Sequence, residues 1–187
     1  GADGPDDDNS FTGEVYVVLG KASGWGGTVS VSNLNGANGW VIYGEGSSHE
    51  FGSAVAVVDV NGDGKADIVA GAPDADCTDG RVKCGAVSVV FGNATMAASI
   101  MVADLDGSDG FTVRGVDERD ELGASVAGGD VNGDGYGDVI MGAKEGDGKN
   151  NAASSGGEVY VMLGKAGGFA ATADAGGPGG FVLYGAQ

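Results

Sequence analysis

One stretch of this chain occurs twice, and a chain that repeats itself is constrained to fold as repeating units. Phe51-Gly-Ser-Ala-Val-Ala-Val-Val-Asp-Val-Asn-Gly-Asp-Gly-Lys-Ala-Asp-Ile-Val-Ala-Gly-Ala-Pro73 returns 71 residues later as Leu122-Gly-Ala-Ser-Val-Ala-Gly-Gly-Asp-Val-Asn-Gly-Asp-Gly-Tyr-Gly-Asp-Val-Ile-Met-Gly-Ala-Lys144. A second element, Gly13-Glu-Val-Tyr-Val-Val-Leu-Gly20, returns as Gly85-Ala-Val-Ser-Val-Val-Phe-Gly92 and as Gly157-Glu-Val-Tyr-Val-Met-Leu-Gly164. A third, Gly39-Trp-Val-Ile-Tyr-Gly44, returns as Gly110-Phe-Thr-Val-Arg-Gly115 and Gly180-Phe-Val-Leu-Tyr-Gly185.

Each full unit holds four short apolar runs. In the second unit they are Ser53–Val58, Asp67–Gly71, Ala86–Phe91 and Phe111–Arg114. Val, Ile, Phe and Tyr fill them and Gly, Asn and Asp bound them, which predicts strands joined by turns. Ser53–Val58 is apolar almost throughout, as expected of a strand buried on both faces. The runs at Trp40 and its copies are more mixed, as for an outer strand. With 40 Gly among 187 residues, a helical protein is excluded. The period of 70–72 residues exceeds that of most solenoids and suits a blade of four antiparallel strands, so the expected fold is an all-β propeller. The expected units are a partial blade at 1–45 with outer strands only, and full blades at 46–116 and 117–187. Gly1-Ala2 aligns with Gly71-Ala72 and Gly142-Ala143. Two and a half blades do not close a ring. The expectation is therefore a piece of a longer propeller, an oligomer that completes one, or an open array. The longer linkers 21–39, 93–110 and 165–180 join third and fourth strands, with room for a helical turn in Thr95–Leu105.

Nine Lys and Arg stand against 27 Asp and Glu, a net charge of −18. Such a chain repels nucleic acid and anionic lipid and attracts divalent cations. No apolar run approaches the roughly 18–20 residues that span a bilayer, so membrane insertion is not expected. Cys77 and Cys84 lie in a polar stretch between two apolar runs, where a disulfide stapling the loop is the preferred reading over free or redox thiols.

Between the first and second strands lies Asp59-Val-Asn61-Gly-Asp63-Gly-Lys65-Ala-Asp67, with its copy Asp130-Val-Asn132-Gly-Asp134-Gly-Tyr136-Gly-Asp138. Side-chain oxygens recur at positions 1, 3, 5 and 9, and a Gly follows position 5. Calcium takes six to eight hard oxygen ligands, which carboxylates, an amide and a backbone carbonyl supply. Position 7, Lys65 or Tyr136, is expected to offer only its carbonyl. The loop is not an EF-hand, because Ala70 and Met141 stand where that motif needs Glu. Magnesium, which keeps its waters and demands an octahedron, is the weaker candidate. The competing reading is a metal-free Asn/Asp/Gly hairpin turn. Two copies at identical spacing favour calcium, since converging carboxylates repel without a cation.

The Phe51-Gly52 to Gly71-Ala72-Pro73 frame enclosing Asp-x-Asn-x-Asp-Gly-x-x-Asp resembles the FG-GAP repeat. Leu122 for Phe and Lys144 for Pro are departures in the second copy, neither at a ligand position. The resemblance implies the β-propeller of integrin α subunits: extracellular, secreted or at the cell surface, and used for adhesion or binding. It also implies calcium ions that brace the strand-connecting loops. It places one ion on Asp59, Asn61, Asp63, Asp67 and the Lys65 carbonyl, and a second on Asp130, Asn132, Asp134, Asp138 and the Tyr136 carbonyl. It names no partner; an unidentified protein or glycan, a second copy of the chain or neighbouring blades of a longer chain are the expectations.

Other residues have plainer readings. His49 in Ser47-Ser-His-Glu50 belongs to a solvated loop rather than a catalytic triad. Asp6-Asp-Asp8 is a solvated acidic loop, Trp25 and Trp40 pack rather than stack on sugar, and Asn93-Ala-Thr95 is a glycosylation sequon. The leading function is a non-enzymatic calcium-binding adhesion module. Its competitors are a structural subunit whose blades neighbouring chains complete, and an accessory propeller beside a catalytic domain elsewhere.

Overall fold

The computed structural model describes residues 12–24, 27–93, 95–151 and 156–185. The Gly1-Ala2 alignment, Asp6–Asp8, Trp25 and the Ala94 of the sequon lie outside them. The described chain is all β. Its strands are β1 (Glu14–Val18), β2 (Gly39–Tyr43), β3 (Ala54–Val58), β4 (Asp67–Ala72), β5 (Ala86–Val90), β6 (Ser99–Met101), β7 (Gly110–Arg114), β8 (Leu122–Gly129), β9 (Asp138–Ala143), β10 (Glu158–Met162), β11 (Thr172–Asp174) and β12 (Gly180–Tyr184). Among the described residues helix is confined to three-residue 3-10 turns, one of them Val102–Asp104, inside the stretch Thr95–Leu105 that has room for a helical turn.

Three sheets form, ordered β1-β2-β6, β11-β7-β5-β4-β3 and β12-β10-β9-β8. Within each repeat every pairing is antiparallel, as for β4 on β5 (Val69 opposite Val89) and β5 on β7 (Val89 opposite Phe111). Two strands go beyond the four expected per blade. β6 and β11 come from the long linkers and add in parallel to the outer strand of the preceding sheet, β6 on β2 and β11 on β7. Each linker is thus a strap that binds one sheet to the sheet before it.

The core lies between sheets. One cluster joins Val15, Trp40 and Ile42 of the first sheet to Phe51, Ile68, Ala70 and Val90 of the second. The other joins Val69, Val87, Phe111 and Val113 of the second to Leu122, Val139, Met141 and Tyr160 of the third. Phe169, in the strap of the third repeat, stacks on Phe111 with ring centroids 4.7 Å apart, which fastens the strap over the second cluster. The close packing demands Gly at one repeated position. Gly85 has φ +80°, and a Cβ there would fall 2.2 Å from the Leu122 nitrogen; Gly13 meets the Phe51 carbonyl in the same way at 2.3 Å.

Two burial expectations are corrected. β3 is not buried on both faces: Val55 and Val57 are 54% and 62% exposed. Among the described residues the first sheet offers β1 and β2 but no counterparts of β3 and β4, so no described strand stands opposite that face. Conversely, β2 and β7 are outer strands yet almost wholly buried, because the following sheet covers one face and the strap covers the edge. Cys77 and Cys84 are disulfide-bonded and both are buried in the connection between β4 and β5. Trp40 is a core residue, as its packing reading requires. His49 packs its ring over Gly46 within its loop.

Candidate metal centre

The two Asp/Asn/Gly loops join β3 to β4 and β8 to β9. Each turns sharply through two glycines with positive φ, Gly62 (72°) and Gly64 (80°) in the first, Gly133 (78°) and Gly135 (92°) in the second. That conformation is nearly free of cost only for Gly.

The side chains expected to hold the ion organise the loop backbone. Asp59 Oδ1 accepts from the Gly62 and Asp63 N–H groups at 2.8 and 3.1 Å, and its Oδ2 from Gly64 at 2.8 Å. Asn61 Oδ1 accepts from the Asp63 N–H at 3.0 Å, and Asp63 Oδ1 from the Lys65 N–H at 2.8 Å. The second loop repeats this bond for bond. Asp130 accepts from Gly133, Asp134 and Gly135, Asn132 Oδ1 from Asp134, and Asp134 Oδ1 from Tyr136, all between 2.7 and 3.1 Å.

The ninth-position acids lie beneath. Asp67 and Asp138 are fully buried. Asp67 takes the Val60 and Gly92 N–H groups, each at 2.8 Å; Asp138 takes those of Val131 at 2.8 Å and Gly164 at 2.9 Å. Each therefore bolts its loop to the end of the third strand of its own sheet. Burial pushes the Asp67 carboxyl up, the Gly92 and Val60 N–H groups pull it down, and the Asp59 charge adds to the push. The N–H of Gly135, with those of Gly133 and Asp134, holds Asp130 below its ordinary value.

Among the described residues no group of three or more Asp, Glu, His or Cys side chains is arranged to hold an ion as it stands. Asp59, Asn61 and Asp63 share one loop, as do Asp130, Asn132 and Asp134, while Asp67 and Asp138 are turned to backbone. The donor set nevertheless fits calcium chemically. All its side-chain donors are hard oxygens, and an oxygen that accepts one N–H keeps acceptor capacity.

Position 7 acts through its side chain, which the spacing of oxygens does not disclose. Lys65 Nζ lies 2.7 Å from Asp63 Oδ2 and holds that carboxyl below its ordinary value. In the second loop the amide of Asn132 takes the equivalent place, donating to Asp134 Oδ2 at 2.9 Å. The Tyr136 ring instead reaches the neighbouring loop, where a Cβ on Gly62 would fall 2.4 Å from it. The Gly137 N–H donates to the Asp59 carbonyl at 2.7 Å. The two loops thus form one continuous patch, a contact that sequence spacing did not reveal.

The FG-GAP repeat family matches residues 51–90 and 122–162. Integrin alpha-PS2 of Drosophila melanogaster is 32% identical over 142 residues, covering 74% of this chain and 10% of that protein. Phosphatidylinositol-glycan-specific phospholipase D of Bos taurus is 33% identical over 131 residues, covering 70% of this chain and 14% of that protein. Integrin alpha-6 of Homo sapiens is 36% identical over 107 residues, covering 55% of this chain and 8% of that protein. The chain therefore spans no more than 14% of the length of these relatives. The two loops described above fall one in each matched segment, and the chain is a carrier of two FG-GAP repeats.

Proposed function

We propose that this chain is a β-propeller module of adhesion type, acting outside the cell, whose strand-connecting loops are stiffened by two calcium ions. The observation that carries the reading is the repeated set of bonds from backbone N–H groups to Asp and Asn side chains in the two loops, one in each FG-GAP match, in a chain similar to integrin alpha chains. Calcium supplies fixed positive charge that offsets the crowded carboxylates. Asp59, Asn61, Asp63 and Asp67 hold the first ion, with the Lys65 carbonyl; Asp130, Asn132, Asp134 and Asp138 hold the second, with the Tyr136 carbonyl. Asp67 and Asp138 couple each site to the sheet below. Such a site is structural: it fixes loop shape so that a partner meets a preformed surface and loses less entropy on binding.

The partner is a protein or glycan. Binding of the chain to immobilised extracellular proteins and glycans, in millimolar calcium and in chelator, tests this. Saturable binding lost in chelator is expected. A chain that binds calcium but no member of either set contradicts the adhesion role. Similarity to a phospholipase D favours a second reading, an accessory module beside a catalytic domain. Hydrolase activity in a longer parent protein that weakens when these loops are mutated supports that reading over the first.

A further inference from the structure

At the end of the third sheet opposite its Asp/Asn/Gly loop, two connections bring four acids together. The β7–β8 connection carries Asp117 and Asp120, the β9–β10 connection carries Asp147, and Glu158 opens β10. The connections touch. The Glu145 N–H donates to the Asp120 carbonyl at 3.3 Å. Gly146 lies so close to Glu158 that a Cβ on it would fall 2.6 Å from the glutamate Cγ. Asp120 and Glu158 are 3% and 4% exposed, and Asp117 and Asp147 are half-buried beside them. The charges that bear on the Asp120 carboxylate are those of Glu158, Asp117 and Asp147, all negative.

One oxygen of the cluster stands out. Glu158 Oε2 accepts from the Tyr160 hydroxyl, whereas Asp120 Oδ2 is buried with no hydrogen-bond partner in the protein. A buried carboxylate facing other carboxylates is costly unless a cation or a proton meets it. The ammonium groups of these connections are engaged elsewhere, Lys83 with Asp74 and Lys144 with Glu121, each at 2.7 Å. A cavity of about 430 Å³ opens between the connections, with Glu121, Glu145 and Asp147 on its wall. The cluster is not part of the plan that the repeats share. In the second repeat Gly46, His49 and Ala86 stand in place of Asp117, Asp120 and Glu158. The acid that remains there, Asp76 for Asp147, accepts from the Lys83 N–H at 3.1 Å.

We propose that this cluster holds a hydrated magnesium ion, with Asp120 Oδ2 as its direct ligand and Asp117, Asp147 and Glu158 accepting hydrogen bonds from the water on it. Among the described residues no three acids stand together as direct ligands. Magnesium does not require that: it keeps several waters and binds through one or two carboxylates, whereas calcium takes six to eight oxygens. The waters span the gaps between the ion and the surrounding carboxylates, and the cavity gives a hydrated ion room to enter. The site uses acids outside both Asp/Asn/Gly loops and holds whether or not those loops take calcium.

Manganese(II), a paramagnetic stand-in for magnesium, tests the proposal when titrated into the chain at neutral pH in millimolar calcium, with free ion counted by its electron paramagnetic resonance signal. The expected result is one manganese per chain, displaced by magnesium. Asp120→Asn removes this binding, and Asp147→Asn, which alters only a contact through water, weakens it about tenfold. Asp63→Ala/Asp134→Ala, altered in both loops, binds manganese as wild type does. Both Asn substitutions keep the side-chain shape, and an unchanged far-ultraviolet spectrum confirms the fold. Wild type that binds no manganese overturns the proposal, as does Asp120→Asn that binds as tightly as wild type. Manganese lost from Asp63→Ala/Asp134→Ala but kept by Asp120→Asn assigns it to the loops and overturns the proposal. One manganese held by the acid cluster in a chain that takes no calcium contradicts the loop sites and leaves this site standing.

Discussion

The two full repeats share a skeleton and differ in what they attach to it. In the second repeat, position 7 of the loop is Lys65, which brings a cation to Asp63 from within the loop. In the third it is Tyr136, which leaves Asp134 to an amide and lays its ring on the neighbouring loop instead. At the opposite end, the second repeat closes its β4–β5 connection with the Cys77–Cys84 bond, and the third has no cysteine between β9 and β10. Ahead of the first strand, His49 of the second repeat stands where the third buries Asp120, one of whose carboxylate oxygens has no hydrogen-bond partner. The repeat tolerates these exchanges because the loop backbone is set by Asp, Asn and Gly at other positions. Each copy therefore carries its own electrostatics.

The largest expected effect separates the buried acids. Asp67→Ala strands the N–H groups of Gly92 and of Val60, a residue with no exposure, and is expected to cost about 3–5 kcal/mol. Asp138→Ala strands those of Gly164 and Val131. Val131 is 51% exposed, so water repairs part of the loss and the cost falls to about 2–3 kcal/mol. Denaturant unfolding of both variants in chelator checks the order; equal losses would erase the distinction.

The next concerns pH. Burial, then the charges of Glu158, Asp117 and Asp147, raises Asp120 to about 6. The folded chain thus keeps a proton that the unfolded chain releases near pH 4. Stability from this group is full below that value and is lost as pH rises through about 6. Asp120→Asn should remove this loss, of about 2–3 kcal/mol, and flatten the profile between pH 4 and about 7. A midpoint that falls with pH as steeply in the variant as in wild type would sink the assignment.

Calcium at 10–100 times its dissociation constant stabilises each site by about 1.4–2.7 kcal/mol. Asp63→Ala and Asp134→Ala should each lose one such increment and keep the other, read as the calcium-induced shift in unfolding midpoint. Cys77→Ser/Cys84→Ser is expected to cost about 2 kcal/mol, with no counterpart loss available in the third repeat. The smallest effect sharpens the comparison most. Lys65→Tyr removes the ammonium beside Asp63 and should tighten the first loop for calcium, modestly because the pair is exposed, toward the second. Competition titration with a calcium dye reads this; weaker binding would show that Tyr136 acts through its ring contact instead.

Much of this was legible in the sequence. Turn residues and apolar runs placed β3, β4, β5 and β7 to within a residue or so, because a Gly or Asp/Asn/Gly cluster bounds each. The loops were visible because Asp and Asn at fixed spacing between glycines both turn the chain and gather hard oxygens. What was not legible depends on neighbours. Ser99–Met101 and Thr172–Asp174 are too short to read as strands and exist only because an outer edge lies open beside them. Val55 and Val57 look like core, and their exposure depends on which strands stand opposite. The placement of the Tyr136 ring is likewise set by the adjoining repeat, far away in the chain.

Counting calcium ions per chain, by isothermal titration of wild type, Asp63→Ala and Asp134→Ala, tests the account most directly. The account predicts two ions for wild type and one for each variant, with the remaining ion in Asp63→Ala on the Asp130–Asp138 loop. No calcium bound to wild type, or the same count in all three proteins, would contradict it.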